Sequence, residues 1–129
     1  MPKFSRLSIS KLVTCHTDLQ ELCYEAIKHV DFSIICGFRG EAEQNEAYHN
    51  GYSKLEYPFS SHNSDPARAI DVIPYPVDWE DINRIYMFVG FMRGVAAIKG
   101  IKIRVGADWD GDMNIKDQNF HDLPHIELL

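Results

Sequence analysis

Apolar residues recur along this chain first at helical and then at strand-like periods, and the alternation marks out its elements. Leu19, Leu22, Cys23, Ala26, Ile27 and Val30 follow one another at three-and-four spacing, which predicts a helix with one apolar face ending near His29. Thr17 reads as its N-cap, Gln20 falls at the capping-box position, and Asp18 suits the positive end of the helix dipole. Residues 5–16 before it read as an irregular lead-in. Phe32-Ser33-Ile34-Ile35-Cys36 is a short β-rich run, expected to be a strand buried on both faces. Residues 41–50 predict a second, polar helix closed by Gly51. Turn residues crowd 51–66, and a loop of that length in a small domain is usually functional or disordered.

From Ala67 to Ile73 the pattern alternates, with Ala67, Ala69, Asp71 and Ile73 on one face of a strand and Arg68, Ile70 and Val72 on the other. Asp78 reads as the N-cap of the longest helix, Trp79 to about Lys99, closed by Gly100. Ile82, Ile85, Tyr86, Val89, Met92, Arg93, Ala96 and Ala97 lie near one side of it. Gly90 and Gly94, four apart, suggest a close approach to its neighbours. Ile101 to Val105 predicts another short strand, and Asp122 to Leu128 a turn into a terminal one. The sum is an α+β fold, a small and mainly antiparallel sheet with about three helices around it.

Composition changes this picture little but excludes several functions. With 129 residues, 45% of them apolar, the chain is expected to form one domain, residues 1–129, able to bury a core without staples. A net charge of -6 with no basic stripe argues against a nucleic-acid partner. Met1 to Lys11 contains no apolar core of signal-peptide length, and no segment approaches the ~18 apolar residues of a membrane span. The expectation is a protein made and kept in a cytoplasm unless something else lets it out. Cys15, Cys23 and Cys36 lack metal-type spacing, and Cys23 and Cys36 fall in apolar patterns that read as small core positions.

The candidate chemistry gathers in two stretches, Ser60 to Pro74 and Asp122 to His125. His62 sits in a Ser/Asn-rich loop, Asp71 stands in an apolar strand where a carboxylate needs a strong partner, and His125 follows Asp122 by three residues. Two imidazoles and one carboxylate are the ligand set of a catalytic zinc site with a position left for water, and Asp122 could serve as its general base. His29 and His49 lie at helix C-termini, where an imidazolium is favourable on dipole grounds alone. His16 precedes a cap, and His121 stands beside the proposed base without a patterned partner. Arg39, at a strand end before a helix, is either a surface cation paired with Glu41 or Glu43 or a fixed guanidinium for a carboxylate or polarised carbonyl. The run Gly106-Ala107-Asp108-Trp109-Asp110-Gly111-Asp112 could hold Ca²⁺, although it lacks a twelve-residue loop with a terminal Glu and Asp/Gly turns are common.

Ser60 to Pro76 and Asp117-Gln118-Asn119-Phe120-His121-Asp122-Leu123-Pro124-His125-Ile126-Glu127-Leu128 resemble the zinc D-alanyl-D-alanine carboxypeptidase superfamily, with its hedgehog-like fold. Within it, Gly37-Phe38-Arg39 with Gln44, and Gly106 to Asp112, look like the phage endolysin branch, L-alanyl-D-glutamate peptidases that cut the peptide stem of peptidoglycan. The resemblance implies zinc ligation by His62, Asp71 and His125, an acidic catalytic residue at Asp122, and Arg39 as the group that binds substrate or stabilises the polarised carbonyl. Ala107, Val105 and His121 depart from the Gly, aromatic and Asn expected there, and the His62–Asp71 interval is two residues longer than in many superfamily members. It further implies a monomer without a separate wall-binding module, held in the host cytoplasm until a holin gives access to the wall. The competing expectations are a D-alanyl-D-alanine carboxypeptidase or dipeptidase and a non-catalytic zinc- or wall-binding module.

Overall fold

Four strands form one antiparallel sheet in the spatial order β1 (Phe32–Cys36), β2 (Ala69–Pro74), β4 (His125–Leu128), β3 (Ile103–Val105). The computed structural model describes residues 2–117 and 121–129. Gln118, Asn119 and Phe120 of the C-terminal motif lie outside the described residues, as does Met1 of the N-terminal segment. β2 is central, and all six of its residues are buried, as its continuous Ala-Ile-Asp-Val-Ile-Pro run demands. β1, expected to be covered on both faces, is an edge strand with Ser33, Ile35 and Cys36 only partly buried. Local sequence does not encode strand order, so an apolar edge strand reads like a central one.

Among the described residues there are four α-helices, α1 (Arg6–Leu12), α2 (Thr17–Ile27), α3 (Glu41–His49) and α4 (Ile82–Lys99), one more than expected. The addition is α1, in the stretch expected to be irregular. Ser5 Oγ caps it by accepting from Ser8 N–H at 3.1 Å, and Ser8 Oγ in turn accepts from Ile34 N–H at 3.0 Å, tying the helix to β1. Of its seven residues only Ser8 and Leu12 are buried, too little for an apolar stripe to announce it.

α2 buries the predicted face, Leu19, Leu22, Cys23, Ala26 and Ile27, and packs against α4. Its N-cap is His16 rather than Thr17: Nδ1 accepts from Asp18 N–H at 3.0 Å, while Gln20 reaches Cys15 O. α4 begins three residues later than expected, because Asp81 Oδ1 caps Arg84 N–H and Asp78 Oδ1 is spent on Glu80 N–H in the preceding turn. Gly100 closes α4 at φ +72°, the left-handed position that favours glycine. Ile85, Phe88, Val89, Met92 and Ala96 form its buried face. Gly90 and Gly94 do not mediate a close approach; a Cβ built on either meets nothing within 4 Å. The tight glycine contacts lie elsewhere, at Gly37 against Lys11 O and the Thr14 side chain, and at Gly106 against the backbone of Asp122.

Candidate metal centre and its cleft

Three adjacent strands and one loop turn deliver the centre. Asp71 of β2 is the register partner of His125 on β4 and of Cys36 on β1, where the pairing shifts at a bulge. His62 arrives from the long loop on a single 3₁₀ turn, Ser61–Asn63, locked by a reciprocal cap. Ser60 Oγ accepts from His62 N–H at 3.2 Å, and Ser60 N–H donates to Asn63 Oδ1 at 3.0 Å. The turn is also stitched to Arg39, whose N–H donates to His62 O and whose carbonyl accepts from Asn63 Nδ2. Thus the loop expected to be functional or disordered is, at this turn, held by specific bonds.

The side chains converge closely. His62 Nε2 lies 3.2 Å from Asp71 Oδ1 and 3.2 Å from His125 Nδ1, and His125 Nδ1 lies 3.3 Å from Asp71 Oδ1. The opposite ring nitrogens are committed: His62 Nδ1 donates to Gly37 O at 2.8 Å, and His125 Nε2 donates to Glu127 Oε1 at 2.7 Å. Those bonds place each neutral ring's lone pair on the inner nitrogen, so two lone pairs and a carboxylate face one another. Such an arrangement is repulsive unless positive charge sits between them. A tetrahedral ion with ligand bonds of ~2.0–2.1 Å would separate its ligand atoms by roughly 3.3–3.4 Å, so the triangle fits one.

The electrostatics have the same sign. Burial alone would lower both imidazoles, but Asp71, helped by Cys36 at His62 and by Glu127 at His125, reverses this and carries His62 up to about 10 and His125 to about 9. Burial likewise works against the Asp71 carboxylate, yet the two histidines hold it far below the ordinary range. The cluster therefore draws in positive charge, a proton or a metal ion.

Asp122 flanks the triangle with Oδ2 3.6 Å from His125 Nδ1. Burial and the charge of Asp71 push its carboxyl up to about 6, against the pull of His125, His62 and Arg39. Its backbone is pinned: Asp122 N–H donates to Gly106 O, and Gly106 N–H donates to His125 O at 2.8 Å. Arg39 stands on the other flank, Nη2 3.5 Å from Asp71 Oδ2 and Nη1 donating to Gln44 Oε1 at 3.0 Å. Neither Glu41 nor Glu43 is its partner in an ion pair among the described residues, so the surface-cation account of Arg39 does not hold.

Residues able to hold a metal form three groups among the described residues: Cys36, His62 and Asp71; Asp71, Asp122 and His125; and Asp108, Asp110 and Asp112. The first two share Asp71 and join through the His62–His125 contact. Cys36, expected in the core, is instead partly exposed, its Sγ 3.9 Å from His62 Nδ1, the ring nitrogen turned toward Gly37 O. Sequence reasoning also missed Glu127, whose carboxylate orients His125 and accepts from Arg104 at 2.7 Å. Its signal was present, since residues two apart on a strand share a face. The third group gives Ca²⁺ no support: Asp108 Oδ2 is already engaged by Arg93 Nη1 at 3.2 Å and Met113 N–H at 2.8 Å. His121 stays on the rim with Nδ1 3.2 Å from Tyr86 Oη.

Known proteins share this architecture over nearly its full extent. The chain is 30% identical over 135 residues to the L-alanyl-D-glutamate peptidase of Escherichia phage T5, covering 98% of each. It superposes on the crystal structure of the Serratia marcescens L-Ala D-Glu endopeptidase ChiX with a TM-score of 0.76 at 26% identity, covering 98% of this chain and 90% of that one. The family model described as phage L-alanyl-D-glutamate peptidase matches residues 1–129. With the fold and this end-to-end match in agreement, the chain belongs to the phage L-alanyl-D-glutamate peptidase family.

Proposed function

We propose that the chain hydrolyses the bond between L-alanine and D-glutamate in the peptide stem of peptidoglycan, with His62, Asp71 and His125 holding a zinc ion. The observation that carries this reading is the triangle of inner atoms 3.2–3.3 Å apart, beside a carboxyl raised toward neutrality. Zinc bound there would acidify a water molecule and polarise the scissile carbonyl.

The chain's own residues do the rest. Asp122, held by the Gly106 backbone, accepts a proton from the attacking water and returns it to the leaving amine. Its raised carboxyl suits both transfers. Arg39, steadied by Gln44, presents its guanidinium to the charge that develops on the carbonyl oxygen. Glu127 and Gly37 O fix the tautomers of His125 and His62, so neither ring needs to reorganise during the reaction. On this reading the enzyme acts on the wall of its host, reaching it from the cytoplasm through a holin.

The test is mass spectrometry of purified peptidoglycan digested with the protein, with a chelator and then with zinc restored. New N-terminal D-glutamate that appears only with metal is the expected result. Release of terminal D-alanine instead would replace this reading with a carboxypeptidase. Zinc bound without any new chain end would replace it with a binding module.

A further inference from the structure

Two clefts meet at the centre, and their walls differ in kind. The larger, about 690 Å³, runs past Trp79, Leu123 and Pro124, and among the described residues Arg39 is its only cation. The smaller, about 290 Å³, runs past Ser60 and is walled by Lys54 and Arg104. Both approach or fall within the size range of small-ligand sites. Arg39 and Asp122 line both clefts, which puts the reacting bond at their junction.

A peptide stem cut between L-alanine and D-glutamate is asymmetric about that same junction. D-Glutamate in the stem is joined onward through its γ-carboxyl, so its α-carboxylate remains a free anion one carbon from the scissile nitrogen. L-Alanine, on the other side, offers a methyl group and a neutral link toward the sugar. An arriving carboxylate meets a chain of net charge -6 and, at the junction, the acidic groups Asp71, Asp122 and Glu127. With the zinc ion and Arg39 both given to the scissile carbonyl, Lys54 and Arg104 are the Lys and Arg side chains left along the smaller cleft to offset that repulsion.

We propose that Lys54 and Arg104 form the subsite for the α-carboxylate of D-glutamate, so that the stem runs from the Trp79 wall to the Lys54–Arg104 wall. This rests on the peptidase reading. Arg104 is preorganised to receive an anion, with Nη2 donating to Glu127 Oε2 at 2.7 Å and the guanidinium carbon 5.9 Å from the centre of the Trp109 ring. The Glu127 bond engages one nitrogen and leaves the planar group other N–H donors. Lys54, on the loop before Ser60, adds a compact charge on a flexible stem. The opposite wall has the apolar surface that the methyl and the sugar link would contact.

D-Isoglutamine replaces the α-carboxylate with a neutral amide of nearly the same shape, and so isolates the charge. The experiment measures kcat/KM of the zinc-loaded protein on two muramyl peptides that differ only in that group, for the parent chain, Lys54→Gln and Arg104→Lys. The parent is expected to favour the carboxylate by roughly tenfold or more, the yield of a charged hydrogen bond. Lys54→Gln should bring that ratio toward one, mainly through KM, and Arg104→Lys should shift it partway. A ratio near one in the parent, or an unaltered ratio in Lys54→Gln, overturns the subsite and leaves the peptidase reading standing. Cleavage of neither peptide by the parent overturns both.

Discussion

Asp71 and His125 are register partners on adjacent antiparallel strands, and Oδ1 of one lies 3.3 Å from Nδ1 of the other. The backbone ladder therefore sets the distance between two candidate ligands that are far apart in sequence, and the bonded loop turn adds His62 as the third. A rigid, inward-facing set of this kind ties metal affinity to folding.

A chelator should lower Tm, and zinc in hundredfold excess over Kd should restore about 2.7 kcal/mol. His125→Ala should abolish both zinc binding and this response. Differential scanning calorimetry with parallel metal analysis decides the point; a Tm indifferent to chelator would refute the coupling.

Asp122→Ala should keep zinc and lose turnover by ~10²–10⁴-fold, the range of a general base. Metal content and product formation must be measured on the same preparation. Full activity in this variant would remove Asp122 from the proposed role.

Glu127→Gln replaces the carboxylate that accepts from His125 Nε2 at 2.7 Å. Exchanging that charged acceptor for a neutral amide should weaken zinc binding by ~10–100-fold. Competition with a chromophoric chelator gives the affinity directly, and a value equal to that of the parent would contradict the orienting role.

The glycines divide into two kinds with opposite outcomes. Gly106→Ala drives a Cβ into the Asp122 backbone and should destabilise by at least the ~1–3 kcal/mol typical of overpacking. Gly90→Ala and Gly94→Ala, in a helix interior with nothing within 4 Å of the new atom, should each stabilise by ~0.5–1 kcal/mol. Urea denaturation of the three variants checks the signs.

Elements whose own residues carry a strong period were legible in the sequence. α2 follows its pattern closely, because burial acts on the same residues that set the period. β2 was legible as a strand, but it starts at Ala69 rather than Ala67 and is buried on both faces rather than alternating. α1 was not legible because its anchoring is tertiary, through Ser8 to β1. The starts of α2 and α4 moved because several side chains compete for the same N–H groups: His16 displaced Thr17, and Asp81 displaced Asp78. At the site, the chemistry of His62, Asp71 and His125 was readable from residue type and from the family resemblance. Cys36 and Glu127 were not singled out, since what brings Cys36 beside His62 is strand register, and spacing along the chain does not report it. Gly106 stood in a quoted motif, but its contact with Asp122 emerges only from the packed turn.

The register that seats Asp71 between Cys36 and His125 also works as an interlock. A slip of β2 by one residue would turn Asp71 to the opposite face and bring Ile70 or Val72 into its place. The misthreaded sheet would then offer the ion an aliphatic side chain and fail to hold it. On the proposed function, capture of zinc would thus proofread the threading of the sheet, and a chain folded in the wrong register would be chemically silent.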